Sequence, residues 1–489
     1  MVSCYPKWYI GMSTLHYRQY TRSHPLGFKL RVLDAAAKFP NETNIHAMNT
    51  LVSRQIIEQV LDKTGKREIR LRKLSSALVI WFCLALNLFT DEAYKDVLSK
   101  LVKGLRFIWP EPDYALPGKS ALCAARERVG TAPLLELFHQ TSQPMADVSV
   151  AGAFLSGLRL VAIDGTTEDV ADTPANSAIF GRHTSTRGES AFPKAQVVYL
   201  SECATHLIID AGLWPLHTSE RVGGERLLRS VSADMLTLID RGFYSYDMLK
   251  KIIVERGAHV LARVAAHVKL KPVRYLSDGT YTAYIYPDDY HRKKAGERLL
   301  VRVIEYTIAD PQRPGYRIMH RLVTSLLNPK QASGIELACA YHKRWEIELA
   351  IDEMETHQRI ARTPLRSRTP SGVVQEFYAL LITFNALCAL RLQAAHLAGV
   401  APDRISFVVT LRKLCESVDQ FQQTTPEHHP LLFERLLRDI AREKLPLRRN
   451  RSNPRVVKRK MSNFLVKREQ HRHWPQPRMN FREAVQFLK

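Results

Sequence analysis

Three features of the sequence predict a mixed α/β protein. Its sheet domain should carry a β-rich insertion, between an α-helical N-terminal region and a helical, basic C-terminal region. The first feature is a pair of short apolar runs, LRLVAID and MLTLID, which end in Asp164 and Asp240 with a glycine within two residues. The second is a set of alternating runs between residues 266 and 330: VRYLSDGTYTAYIYP, RLLVRVIEYTI and YRIMHRLVTSLL. The third is YHKRWEIELAIDEME, residues 341–355, in which Tyr341, Arg344 and Glu348 recur at offsets 0, 3 and 7. On one α-helix those three share a stripe, and Asp352 and Glu355 fall on it too.

The chain of 489 residues is too long for one small core, so about two to four structural units are expected. Lys and Arg number 71 against 48 Asp and Glu, a net charge of +23. That excess favours a polyanionic partner, nucleic acid first, over a basic membrane-surface protein. The seven cysteines form no C-x-x-C pair, which argues against a zinc module or a disulfide framework and for a reducing, cytoplasmic interior. The N-terminus, MVSCYPKWYI, shows no charged head followed by an apolar run, so no secretory signal is expected. The longest apolar run, ALVIWFCLALNLF at 77–89, is short for a membrane span and reads as a buried core helix.

In chain order, residues 1–47 are expected to form a poorly ordered arm. Residues 48–150 read as a helical domain that binds DNA. Its last two runs, separated by Gly130, Thr131, Ala132 and Pro133, make a helix–turn–helix with Arg126 and Arg128 placed to touch DNA; an ordinary helix pair reads as well. Residues 151–265 and 331–395 supply the sheet domain. KAQVVYLSEC and HLIIDAGLWP form an antiparallel pair turning at Ala204 and Thr205, GGERLLRSV a helix, and HVLARV a further strand. Residues 266–330 are the β-rich insertion, with a turn at Asp278 and Gly279. Residues 375–393 read as another buried helix. Residues 396–489 form a helical and basic region for DNA binding and dimerisation. From Ala441 onward the chain holds 15 Lys or Arg against 3 Asp or Glu, concentrated in RRNRSNPRVVKRK. Arg448, Arg449, Arg451, Arg455, Lys458, Arg459 and Lys460 are its DNA-binding candidates.

Carboxylates at strand ends suit a metal, because ligands gather beyond the carboxyl ends of strands in open α/β sheets. Two such strands side by side, with a helix delivering Glu348, would supply three hard oxygen ligands for two Mg2+ or Mn2+ ions. Two metals can clamp the attacking and leaving oxygens of a phosphodiester displacement. Arg344 could hold the phosphate with its fork of donors, and Tyr341 could hydrogen-bond a phosphate or stack on a sugar or base. The plain alternatives are a solvated helix face and strand-end aspartates that only begin turns.

With these motifs the chain resembles the DDE transposases of bacterial insertion sequences, in the branch marked by the signature Y-x-x-R-x-x-x-E-x-x-x-x-x-x-K. Tyr341, Arg344 and Glu348 match it, and the segments AIDGTT, FGRHTSTRGESAFPKAQVVYL, IDRGFYS and NPRVVKRKM resemble the branch as well. The resemblance implies a ribonuclease-H-like catalytic domain with Asp164, Asp240 and Glu348 as metal-binding triad. It implies double-stranded DNA as partner, both the element's terminal inverted repeats and target DNA, and a homodimeric synaptic complex. The signature's Lys falls on Glu355, which cannot make a Lys contact to phosphate. A DNA-end-binding repressor and a nuclease without strand transfer are therefore the competing readings.

Overall fold

The computed structural model describes residues 46–48, 51–69, 74–102, 116–185, 188–294, 296–359, 363–447, 456–457, 465–471 and 473–488. Of the arm expected over 1–47, residues 1–45 lie outside the described residues, as do all seven basic candidates from Arg448 to Lys460; His46–Met48 form a short 3-10 turn in which Ala47 is buried.

Contacts divide the chain into two units. One comprises Met1–Thr141, Val374–Ala386 and Leu411–Leu436; the other comprises Ser142–Val373, Leu387–Thr410 and Leu437–Lys489. The first unit holds helices α1 (Arg54–Lys63), α2 (Ser76–Ala85), α3 (Tyr94–Val102), α4 (Lys119–Val129) and α5 (Ala132–Thr141). Ser53 and Ser75 start α1 and α2 by accepting the amides of Ile56 and Leu78, both at 3.2 Å. Every residue of α2 from Leu78 to Ala85 is buried, which is why that run shows no polar face. Arg126, one of two arginines that could have touched DNA, faces inward, in keeping with an ordinary helix pair. It is buried, its Nη1 donates to the Tyr94 hydroxyl at 2.9 Å and its Nε to Gln375 Oε1 at 3.2 Å. Gln375 in turn donates to the carbonyls of Arg126 and Gly130, both at 2.7 Å. The arginine closes this helix pair from inside.

The second unit is built on a sheet of eleven strands among the described residues. Its main strands are β1 (Leu158–Asp169), β2 (Lys194–Glu202), β3 (Ile208–Pro215), β4 (Met235–Ile239), β5 (His259–Arg263), β6 (Pro272–Tyr275), β7 (Tyr281–Ile285), β8 (Leu299–Ile308) and β9 (His320–Thr324). The order is β3-β2-β1-β4-β5-β9-β8-β7-β6. β3, β2 and β1 are antiparallel neighbours, whereas β4 and β5 run parallel to β1. That half is ribonuclease-H-like, and its crossover from β3 to β4 carries helix α6 (Glu220–Leu227). The 266–330 strands extend the same sheet as an antiparallel meander. Gly279 makes the turn between β6 and β7 with φ 79°, a left-handed conformation natural to glycine.

The core of this unit gathers alternate residues of those strands, among them Val161, Ile163, Val198, Leu200, Val260 and Val303. Helices α7 (Gly334–His342) and α8 (Trp345–Asp352) follow the meander. Helix α9 (Pro370–Ala398) contributes residues to both units. It is long and apolar enough to cross a membrane, but 94% of its apolar window is buried within the protein, as a core helix requires. Helices α10 (Phe407–Gln423) and α11 (His429–Arg442) complete the helical C-terminal part.

Candidate active site

The sheet sets two aspartates side by side. The last parallel pair of β1 and β4 is Ala162 with Leu238, and Asp164 and Asp240 each stand two residues beyond it. Asp240 follows the end of β4, as its sequence context predicts. Asp164 does not end a strand: β1 continues to Asp169, because β2 still pairs with it from Asp164↔Tyr199 to Asp169↔Lys194. The edge is therefore made by the end of β4 beside a strand that runs on.

Both carboxylates are fixed by backbone amides. Gly165 donates to Asp164 Oδ1 at 2.9 Å. Gly242 and Phe243 donate to Asp240 Oδ1 at 2.8 and 3.3 Å. The glycine after Asp164 also keeps space open, since a Cβ on it would stand 3.0 Å from the Glu220 side chain.

Residues 341–355 are not one regular helix. Helix α7 ends at His342, and α8 begins at Trp345. Short-range bonds across the junction, Arg344 N to Tyr341 O at 3.0 Å and Ile347 N to Arg344 O at 3.2 Å, tighten the chain there. Backbone angles at Lys343 and Arg344 stay in the right-handed helical region, so Tyr341, Arg344 and Glu348 still follow one another on one side. A π-helix from Glu353 to Gln358 then rotates the stripe away. Glu355 is buried at 7% exposure, and its charge acts on the buried Tyr199 hydroxyl rather than on the aspartates. Asp352, one turn after Glu348 at the end of α8, accepts the Thr356 hydroxyl at 2.8 Å. Of the five positions expected on one stripe, Glu355 is the one that the π-helix turns away.

Arg344 joins the elements. Its Nη1 donates to Asp164 Oδ2 at 3.0 Å and its Nη2 to Glu348 Oε1 at 2.7 Å. Burial works against the guanidinium charge, but Tyr341, Glu348 and Asp164 hold its pKa above the ordinary value. Burial pushes Asp164 up to about 6; Arg344 and the Gly165 amide oppose that rise, and Glu348 and Asp240 add to it. Arg344 thus pairs with two of the three carboxylates, and at Asp164 burial still outweighs it. Burial pushes the Tyr341 hydroxyl up to about 12, against the pull of Arg344 and Arg263.

Arg263 is a site residue that sequence reasoning missed. Ile239 of β4 pairs with Ala262 of β5, which puts Arg263 level with Asp240. Its guanidinium lies 3.3 Å from His320 Nδ1. The available signal was a basic residue at the end of a strand next to the one bearing Asp240.

Among the described residues, no three His, Cys, Asp or Glu side chains converge closely enough to hold an ion as they stand, because Arg344 spans Asp164 and Glu348. The donor chemistry nevertheless fits a hard divalent cation: three carboxylates, one of them raised by burial despite its pairing with Arg344.

The strand order is that of a ribonuclease-H-like domain, and two family models of transposases match the chain. "Transposase DDE domain" matches residues 155–386, and "Insertion element 4 transposase N-terminal" matches residues 42–139. The chain belongs to the DDE transposases of bacterial insertion sequences, in the insertion element 4 branch. It is similar to the transposase InsG for insertion sequence element IS4 of Escherichia coli (strain K12), at 27% identity over 444 residues, 88% of this chain and 95% of the relative. Among solved structures it is similar to a piggyBac transposase in a synaptic complex with hairpin DNA, at 12% identity and TM-score 0.42, covering 83% of this chain and 86% of that one.

Proposed function

We propose that this transposase cleaves DNA at the terminal inverted repeats of its own element and transfers the 3′ ends to target DNA, with Asp164, Asp240 and Glu348 as its metal-binding triad. What carries the reading is the edge itself: two aspartates level on neighbouring parallel strands, with Arg344 tying one of them to Glu348. Asp164, Asp240 and Glu348 would together hold two Mg2+ or Mn2+ ions. Bound there, divalent ions would activate the attacking oxygen and stabilise the departing 3′ oxygen. Arg344 offers a planar fork to the scissile phosphate, and Arg263 adds positive charge beside it. Tyr341 stays protonated at neutral pH and so can donate a hydrogen bond to a phosphate oxygen.

In this reading the helical region over 48–150 and the basic residues Arg448, Arg449, Arg451, Arg455, Lys458, Arg459 and Lys460 grip the element ends. Two ends must be cut together, which requires a homodimer around them, working on double-stranded DNA in the bacterial cytoplasm.

The deciding experiment incubates the purified protein with a labelled duplex carrying the element's terminal repeat and Mg2+, beside Glu348→Ala. Cleavage at the repeat boundary should drop by at least about a thousandfold in the variant, in line with removing a group that acts on the transition state. Joined products separate transfer from simple cutting. Glu355 favours a second reading, an end-binding repressor, because a buried acid stands where the signature has Lys. Specific end binding with no cleavage in Mg2+ or Mn2+, and cleavage gained by Glu355→Lys, would establish the repressor instead.

A further inference from the structure

A second charged cluster lies on the same helix as Glu348, and the proposed chemistry does not use it. His206 sits in the turn between β2 and β3, 1% exposed, with φ 67°, a left-handed backbone that a non-glycine residue adopts only under strain. Its Nδ1 is 2.7 Å from Glu353 Oε2 and its Nε2 is 3.1 Å from Glu346 Oε2. Carboxylates only accept, so a ring bonded to two of them donates from both nitrogens and is an imidazolium. Arg391 completes the set: Nη1 donates to Glu353 Oε1 at 2.7 Å, and Nη2 to the Thr205 carbonyl at 2.9 Å.

Glu346 and Glu353 stand two residues before and five after Glu348. They bracket α8 and bind it to two other elements, the β2–β3 turn through His206 and helix α9 through Arg391. We propose that His206 is a positioning residue of the DNA reaction: with Arg391 it neutralises Glu346 and Glu353, and so fixes the rotation of α8 that brings Glu348 to the aspartates. The inference rests on Glu348 being the third carboxylate of the site.

The turn and the helix are 140 and 147 residues apart through these contacts, so no local structure supplies the link. Apolar residues could fill such a space at no cost in stability, whereas two directed ion pairs fix one rotation of a helix. Electrostatics agrees with the geometry. Burial opposes the charged ring, but Glu353 and Glu346 hold the His206 pKa above its ordinary value. Burial would raise Glu353, yet Arg391 and His206 pull it down to about 2. The charged groups facing His206 are thus Glu346, Glu353 and Arg391.

Hydrogen exchange on the full-length protein, free of metal and DNA, tests this directly. In His206→Gln one hydrogen bond survives and the charge is lost. Amides of Trp345–Asp352 should then exchange about tenfold faster than in wild type, with the rest of the chain unchanged, as local opening predicts. Glu346→Gln leaves the Arg391–Glu353 pair whole and should give the same localised signature should His206→Gln fail to fold. Unchanged exchange over Trp345–Asp352 overturns the inference, and so does faster exchange spread evenly over the chain, which marks a merely structural residue. Cleavage of the terminal-repeat duplex is measured alongside. A wild type that cuts nothing sinks the transposition chemistry, while the exchange pattern alone decides whether His206 positions α8.

Discussion

Helix α8 and the residues just around it serve two charged clusters of opposite design. At the sheet edge three carboxylates, Asp164, Asp240 and Glu348, stand against two guanidinium groups: Arg344 pairs with Asp164 and Glu348, Arg263 lies level with Asp240, and Glu348 keeps 34% of its side chain exposed. Behind it, Glu346 and Glu353 face His206 and Arg391, two acids against two bases, with the His and Arg side chains at 1% and 2% exposure. One cluster is closed and neutral; the other is open and short of positive charge. The difference teaches where each acts. A balanced, dry network holds elements in register. An unbalanced acidic edge suits the divalent cations of the proposed chemistry.

The largest expected effect breaks the closed cluster. Arg391→Met should leave Glu353 with only His206 in a buried place, unbalance the cluster and cost about 3–5 kcal/mol, read by urea unfolding. Arg344→Met removes the same charge from the more open edge, where Glu348 is 34% exposed and Asp164 can take up a proton, and should cost less, about 1–3 kcal/mol. Equal losses in the two variants would erase the distinction between the clusters.

A somewhat smaller effect has the opposite sign. Asp164 has a folded pKa raised from 3.8 to about 6, so its contribution to stability is full below 3.8 and is lost as pH rises through about 6. Metal-free wild type should therefore lose up to about 3 kcal/mol from this one group across that window. Asp164→Asn has no charge to desolvate and should be more stable than wild type at pH 8, with the gap closing at pH 4.5. Urea midpoints at the two pH values check it, and a variant less stable at pH 8 would show that the carboxylate is not short of positive charge. For His206 the sign runs alike: its raised pKa makes its contribution full below 6.5 and lost as pH rises through the folded value.

Much of the edge was legible in the sequence because it rests on local signals. Short apolar runs mark β1 and β4, and a parallel pairing of such runs brings Asp164 and Asp240 level. Tyr341, Arg344 and Glu348 keep helical order even across the α7–α8 junction. What escaped depends on partners distant in the chain. The extension of β1 to Asp169 follows from β2, not from anything in GTTED. The inward turn of Arg126 follows from Gln375, 249 residues away. The π-helix that removes Glu355 from the stripe has no pattern in EMETHQ that distinguishes it from an α-helix. His206 looked like an ordinary turn residue, since Glu346 and Glu353 meet it only in the folded chain.

The smallest expected effect separates the clusters by proton count. At pH 6 about half of Asp164 carries a proton, because its pKa is raised to about 6. A divalent cation binding there must displace that proton, so calorimetric titration with Mn2+ in buffers of different ionisation heat should show release of roughly half a proton per molecule. At pH 8 the carboxylate is already ionised and release should fall almost to zero. Asp164→Asn should release none at either pH. His206→Gln should bind Mn2+ more weakly, because Glu348 is held less firmly at the aspartates, while each ion bound should still release protons on the pH profile that Asp164 sets, falling almost to zero at pH 8. Release that persists at pH 8 in that variant would mean that the two clusters titrate together, and that the closed one is not closed.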